Sequence, residues 1–185
     1  EMIDFSFTGE QEMFRRHVRE FGIKELAPGE KDRAKTGDLP RELRKKFAEA
    51  GLLGLNIPEE YGGTPVDTVT FGIALEEVAR CAPTSWFYVI LNWVAYPFIS
   101  LGSKELRDEW LPPVARGEKQ VAFGATEAEA GSDLGNLRTS ARQDGGSYIL
   151  NGEKNSVTDA TTAEAIIVLA RYEGTPRRSV TPFLV

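Results

Sequence analysis

Phe123-Gly124-Ala125-Thr126-Glu127-Ala128-Glu129-Ala130-Gly131-Ser132-Asp133-Leu134-Gly135 is the stretch at which the chain changes rhythm, from helical upstream to extended downstream. Residues 120–125 have the apolar character of a strand. The 123–135 stretch packs three glycines, two hydroxyls and three carboxylates into a few positions. Gly131 and Gly135 permit a sharp turn or a close backbone approach. Successive N–H groups in such a turn can form an anion-binding concavity. The hydroxyls of Thr126 and Ser132 can bond ring nitrogens, carbonyls or phosphate oxygens. The residues alone therefore allow a nucleotide-like ligand, and equally an ordinary surface turn capped by Asp133. No Gly-Lys-Ser/Thr comes after it and the triple-glycine dinucleotide pattern is missing, so neither standard phosphate-loop motif applies.

Upstream, Thr8 and Gln11 stand at capping-box spacing. Met13, Phe14, Val18, Phe21, Ile23 and Leu26 then predict one buried helical stripe, stopped by Pro28 and Gly29. Pro40 opens a second helix, with Leu43, Phe47 and Leu52 inward and the basic run Arg41, Arg44, Lys45 and Lys46 on a solvated face. A third helix over 67–80 buries Val69, Ile73, Leu75 and Val78. Pro83 opens a fourth that is apolar nearly all round, including Trp86, Trp93 and Tyr96, as befits a central or interface helix. A fifth, over 103–110, is capped by Ser103 and closed by Pro112 and Pro113. Downstream, 137–143 and 147–151 flank Asp144-Gly145-Gly146, a strong hairpin signal, and further strands are expected over 165–170 and 180–185. The fold class is thus α+β: an all-helical N-terminal domain over 1–119, then over 120–185 the start of an antiparallel β-barrel or sandwich. An apolar strand stopping at Val185 would leave a bare edge, so the polypeptide is expected to continue, or another chain to supply the rest.

The 185 residues carry 28 acidic and 22 basic side chains, a net charge of −6. That lacks the electrostatic footprint of a nucleic-acid binder. One cysteine, Cys81, excludes an internal disulfide and a Cys-based metal site, and reads as a small buried residue. The one histidine, His17, lies among Arg15, Arg16 and Arg19 and reads as part of a solvated helix face. No metal centre is expected. No stretch is apolar for long enough to cross a bilayer, and residues 1–5 lack the features of a signal peptide. The expectation is a cytoplasmic protein of a reducing compartment.

Thr126-Glu127-x-x-Ala130-Gly131-Ser132-Asp133 resembles the T-E-P-x-A-G-S-D motif of the acyl-CoA dehydrogenases. Residues 40–63 (PRELRKKFAEAGLLGLNIPEEYGG), 101–118 (LGSKELRDEWLPPVARGE) and 148–154 (YILNGEK) are similar to other segments of that family in the same order. The resemblance covers essentially the whole chain. It implies FAD as cofactor and an acyl-CoA as substrate. Main-chain groups near Phe123 and Ala125, with the Thr126 hydroxyl, would hold the flavin's pyrimidine edge. Gly131 and Ser132 would lie at the pyrophosphate, and Ser132 would also touch the thioester arm of the substrate. Ser156, Val157 and Thr158 would form a second flavin segment, with the Thr158 hydroxyl near N5. The fourth helix would contribute to the acyl pocket, where Trp86 and Trp93 would limit the acyl group. An electron-transfer flavoprotein or similar acceptor, and a homo- or hetero-oligomeric state, dimer or tetramer, come with the family.

This sequence departs from the family pattern in places. Ala125 replaces a larger aliphatic residue, Ala128 the proline, and Asp159-Ala160 an Asn-Gly pair. Ser156 replaces a tryptophan that packs on the flavin face, which removes an aromatic contact worth about 1 kcal/mol. The family's catalytic base is a glutamate of a C-terminal helical bundle, which would come after Val185, so no catalytic residue is assigned. Glu127 and Asp133 form a carboxylate pair, but by resemblance their segment serves the cofactor. The implied reaction is α,β-desaturation of an acyl-CoA thioester. An acyl-CoA oxidase or flavin monooxygenase of the same fold, and a non-catalytic subunit that binds FAD or acyl-CoA with a partner chain, are the alternatives.

Overall fold

A computed structural model describes residues 5–37, 40–176 and 179–185; the expectation for residues 1–4 lies outside them. Among the described residues, six α-helices precede a five-stranded sheet. Helix α1 (Gly9–Phe21) starts at the expected capping box: Gln11 N–H donates to Thr8 Oγ1 at 3.1 Å, and the Gln11 side chain accepts from Thr8 N–H at 3.0 Å. It continues into a wider turn, Gly22–Leu26, in which Ala27 N–H reaches back to Gly22 O. That turn breaks the 3.6-residue phase. Val18 and Leu26 are fully buried, whereas Met13 and Ile23 are exposed, against the single stripe expected. Helix α2 (Glu30–Thr36) buries no residue, so it has no apolar period by which to be foreseen.

Helix α3 (Arg41–Glu49) packs Leu43 and Phe47 inward, and Leu52 beyond its end is also buried. Arg44 is only 4% exposed; its place on a solvated face is corrected by an acidic and amide cluster that receives it. Helix α4 (Thr68–Cys81) is capped by Asp67, which accepts from the N–H groups of Val69 and Thr70. Ile73 and Val78 are buried as expected, while Val69, in the first turn, is exposed. Helix α5 (Phe87–Ser100) is the apolar one. Helix α6 (Lys104–Ala115) begins at the Ser103 cap but runs through Pro112 and Pro113 instead of ending before them. Proline's φ suits a helix, and burial of Leu111, Val114 and Ala115 offsets the missing N–H groups.

Strands β1 (Val121–Gly124), β2 (Ser140–Asp144), β3 (Ser147–Asn151), β4 (Ala165–Tyr172) and β5 (Thr181–Leu184) form the sheet. The β2–β3 hairpin closes on Asp144 and Ser147 as the turn signal predicts. Along one edge of β4 lie β1 and then β2, both parallel to it; β5 pairs antiparallel on the other edge. The helical-then-β fold class is as expected, and the strand pairing within it is mixed rather than antiparallel throughout. A parallel pair requires a long crossover, and the residues between β1 and β4 supply it, with the hairpin inside.

Two apolar clusters fill the interior. The first joins α1, α3, α4 and α5 around Phe47, with Phe21 and Tyr88 rings 5.3 and 5.4 Å away. The second joins α5 and α6 to β1 and β4 through Ala95, Ile99, Leu111, Val121, Ile167 and Leu169. Helices α5 and α6 therefore share a core with the sheet. Among the described residues, no helix is long and apolar enough to cross a membrane.

Candidate active site

The chain leaves β1 and folds back on itself at once. Glu127 N–H donates to Ala130 O at 2.9 Å, and Ala130 N–H returns to Glu127 O, so Ala128 and Glu129 form a tight tip. The turn does not demand glycine at 131: that residue has an ordinary φ, and a Cβ added there would meet open space. Phe123, half-buried in β1, stacks on Phe98 of α5 with ring centroids 5.3 Å apart, and Ala125 packs on the second cluster.

Residues 154–158 come alongside this segment. Asn155 N–H donates to Thr126 O at 2.8 Å and Lys154 Nζ to Ala125 O at 3.1 Å. A Cβ built on Gly124 would lie 3.5 Å from Lys154 Cγ and 3.6 Å from Val157 Cγ2, which is van der Waals contact. The two segments expected to face a flavin, 123–132 and 156–158, are thus neighbours in space.

Glu127 is the bolt between them. Its side chain is 7% exposed and accepts from Lys154 Nζ at 2.7 Å, Thr139 N–H at 3.0 Å, Thr139 Oγ1 at 2.6 Å and Arg138 N–H. Burial pushes the carboxyl upward, but the backbone donors, the ammonium and the hydroxyl outweigh it and hold the pKa at about 2. A saturated, strongly acidic carboxylate is a poor proton acceptor, so Glu127 is a structural anion and no general base. Lys154 and Thr139 were not foreseen as site residues, because nothing in the local sequence ties a lysine to a carboxylate 27 positions away. Gly152 gave a clearer signal: a Cβ there would sit 2.5 Å from Thr139 Oγ1, so the Asn151-Gly152 turn must press bare backbone against the bolt.

The exposed face of both segments holds uncommitted polar groups. Among the described residues, the hydroxyls of Thr126, Ser132, Ser156 and Thr158 and the backbone N–H groups of Gly131 and Ser132 have no hydrogen-bond partner within the chain. Thr126, Ser132 and Ser156 are exposed; Val157 and Thr158 are half-buried. Ser156 and Asp159 both have left-handed backbones, φ +55° and +57°, a conformation sparsely populated outside Gly, Asn and Asp.

Two family models match in tandem: "Acyl-CoA dehydrogenase, N-terminal domain" over residues 8–118 and "Acyl-CoA dehydrogenase, middle domain" over 122–185. The chain belongs to the acyl-CoA dehydrogenase family. It is 36% identical to a 3-(aryl)acrylate reductase of Clostridium sporogenes over 184 residues, 97% of this chain and 48% of that protein. It is 35% identical to the mitochondrial short-chain specific acyl-CoA dehydrogenase of Bos taurus, over 94% of this chain and 43% of the relative. Its fold superposes on a Mycobacterium smegmatis glutaryl-CoA dehydrogenase solved in complex with FADH2, with TM-score 0.87 and 30% identity, over 97% of this chain and 46% of that one. The chain spans about half the length of the curated relatives it matches. Trp86 and Trp93 of this acyl-CoA dehydrogenase relative sit in the helical core, Trp93 stacked on Phe71 at 3.7 Å and Trp86 on Phe87 at 4.3 Å.

Proposed function

We propose that the chain forms the helical and flavin-facing portion of an FAD-dependent acyl-CoA dehydrogenase that desaturates an acyl-CoA thioester between its α and β carbons, with helical and β domains meeting at 119/120. The observation that carries this reading is the row of unpartnered donors on two segments bolted together by Glu127. Hydroxyls and paired amides on one open face suit the oxygens and ring nitrogens of a flavin dinucleotide, so the residues present fit the group. When bound, FAD would supply the hydride acceptor for the substrate's β carbon.

Each residue then has a role. Main-chain groups at Phe123 and Ala125 and the Thr126 hydroxyl would hold the pyrimidine edge, where hydrogen-bond donors favour negative charge. The Ala125 carbonyl is already held by Lys154, which leaves its N–H as the ligand-facing group. Gly131 and Ser132 take the pyrophosphate, and Ser132 also the thioester arm. Ser156 and Val157 would border the ring, and the Thr158 hydroxyl would serve N5. Trp86 and Trp93 bound the acyl group, so Trp86→Ala is expected to shift acyl preference toward larger groups. The α-proton goes to a base outside the described residues. An electron-transfer flavoprotein is the proposed acceptor, and a dimer or tetramer the proposed assembly.

Uptake of FAD by the complete native protein, read as a visible flavin spectrum, and anaerobic bleaching of that spectrum by acyl-CoA test the proposal. A protein that stays colourless with FAD in excess overturns it. The exposed, small Ser156 favours a second reading, an acyl-CoA oxidase or flavin monooxygenase with an open ring face. Fast reoxidation in air with peroxide release would select that reading over the dehydrogenase.

A further inference from the structure

A polar chain crosses the hinge between the helices and the sheet, and none of its members is a proposed flavin or substrate ligand. Gln120, immediately before β1, is 4% exposed, as is Arg44 in α3. Arg44 Nη1 donates to Gln120 Oε1 at 3.1 Å and to Glu164 Oε2 at 3.1 Å; Nη2 donates to Glu164 Oε1 at 3.3 Å. Glu164 also accepts from the Gln120 backbone N–H at 2.6 Å, and its own N–H donates to Gln120 O at 2.9 Å. The hinge turn lies tight on α3: at Gly117, φ +68°, a Cβ would sit 3.0 Å from Arg44 O and 3.2 Å from Ala48 Cβ.

A guanidinium on Oε1 fixes which way the Gln120 amide faces, because Arg has no acceptor to offer the other end. The amide nitrogen therefore points away from Arg44 and donates to Asp159 Oδ2 at 2.7 Å. Asp159 is one of the two left-handed residues, and Ser156 is the other. Val157 and Thr158 lie between them. The Asp159 carbonyl accepts from Thr162 N–H at 3.0 Å and Ala163 N–H at 2.9 Å, closing the turn behind it. Sparsely populated backbone conformations persist where surroundings over-determine them. Asn155 N–H on Thr126 O anchors the start of this segment, and among the described residues the Gln120 side chain is what grips the Asp159 carboxylate at its other end.

We infer that Gln120, oriented by Arg44, is a positioning residue: by gripping Asp159 it fixes the turn that aims Thr158. The helical domain thereby sets how the second flavin-facing segment is presented. The functional half of this inference rests on the flavin reading; the ordering of the turn does not.

The test uses the complete native protein and three variants, Gln120→Leu, Asp159→Gly and Asp159→Asn. Amide hydrogen exchange of residues 157–163 is measured without FAD, and FAD affinity and the flavin absorbance spectrum are measured with it. Gln120→Leu is expected to speed exchange at Thr162 and Ala163 about tenfold. It is expected to weaken FAD binding about fivefold, the size of one lost hydrogen bond, with a changed spectrum. Asp159→Gly keeps left-handed freedom and removes only the grip, so it should act like Gln120→Leu even if that buried change impairs folding. Asp159→Asn keeps both the acceptor and the conformation, and should rescue. Unchanged exchange in Gln120→Leu and Asp159→Gly overturns the grip. Faster exchange with an unaltered spectrum and affinity overturns the positioning role. Wild-type protein that takes up no FAD defeats the flavin reading instead, and exchange still decides the grip.

Discussion

The two ends of the molecule are held by opposite means. Around Phe47 the helices close on apolar surface, with two aromatic neighbours in edge or tilted contact. Around Glu127 two irregular segments are held by one carboxylate and the donors that point at it. Apolar burial is roughly proportional to area and indifferent to direction; a charge-assisted bond is short and directional. Helices arrive with their own backbone geometry and need only to be pressed together. Loops do not, so a site assembled from loops needs contacts that fix position as well as proximity. That direction comes with dependence on one proton.

The largest effect should separate the two directly. Phe47→Ala removes a fully buried ring and should cost about 3–5 kcal/mol, measured by urea unfolding, with the same loss at acid and neutral pH. Glu127→Gln leaves Lys154, 9% exposed, without its counter-charge and should cost about 3 kcal/mol. Here the loss depends on pH. The folded carboxyl titrates at about 2 against an ordinary 4.5. Its stabilisation is therefore complete above about 4.5 and drains away as pH falls toward 2, about 3 kcal/mol in all. Wild type and Glu127→Gln should converge in stability as pH drops through that window. A gap of constant size would mean that shape, not charge, holds the loop.

Next in size is a buried carboxylate in the helical half. Glu77 is 1% exposed at its side chain and accepts from Arg19 Nε at 2.8 Å and Nη2 at 2.6 Å, bonds that hold its pKa below the usual range. Arg19→Met should cost about 2 kcal/mol, less than Glu127→Gln, since Arg19 is about a third exposed and water can replace it. If it costs more, the helical end also leans on directed charge, and the contrast narrows.

These same features mark what could be read from the chain. The positions of α1, α3, α4 and α5, the Thr8 and Ser103 caps, the hairpin and the inward Phe47 follow from spacing, because local period and capping chemistry act within a few residues. Helix α2, which buries no residue, and the end of α6 do not. The Thr126–Asp133 motif singled out the candidate site, and the structure brings that segment alongside residues 154–158. Arg44, Lys154 and Gln120 were not legible: each takes its role from a partner 27 to 120 positions away, and a charge in a basic run gives no sign of which member turns inward. The phase break at Gly22–Leu26 was hidden for another reason, since one extra residue per turn leaves the apolar spacing looking regular while it rotates Ile23 outward.

The smallest effect gives the sharpest control. Thr8 and Gln11 satisfy each other's backbone N–H groups at the start of α1, so Thr8→Ala should cost about 1 kcal/mol and Thr8→Ser should restore it. The cap packs on α4, where Gln11 Nε2 reaches Thr70 Oγ1 at 3.5 Å, and it has no link to the Glu127 bolt. Fraying there should appear as faster amide exchange in the first turn of α1 alone, with residues 124–139 and 152–158 unchanged. If those loops also exchange faster, the apolar cluster transmits helix fraying to the site through α5, whose residues contribute to both cores. The two ends would then be one cooperative unit, held in two ways but melting together.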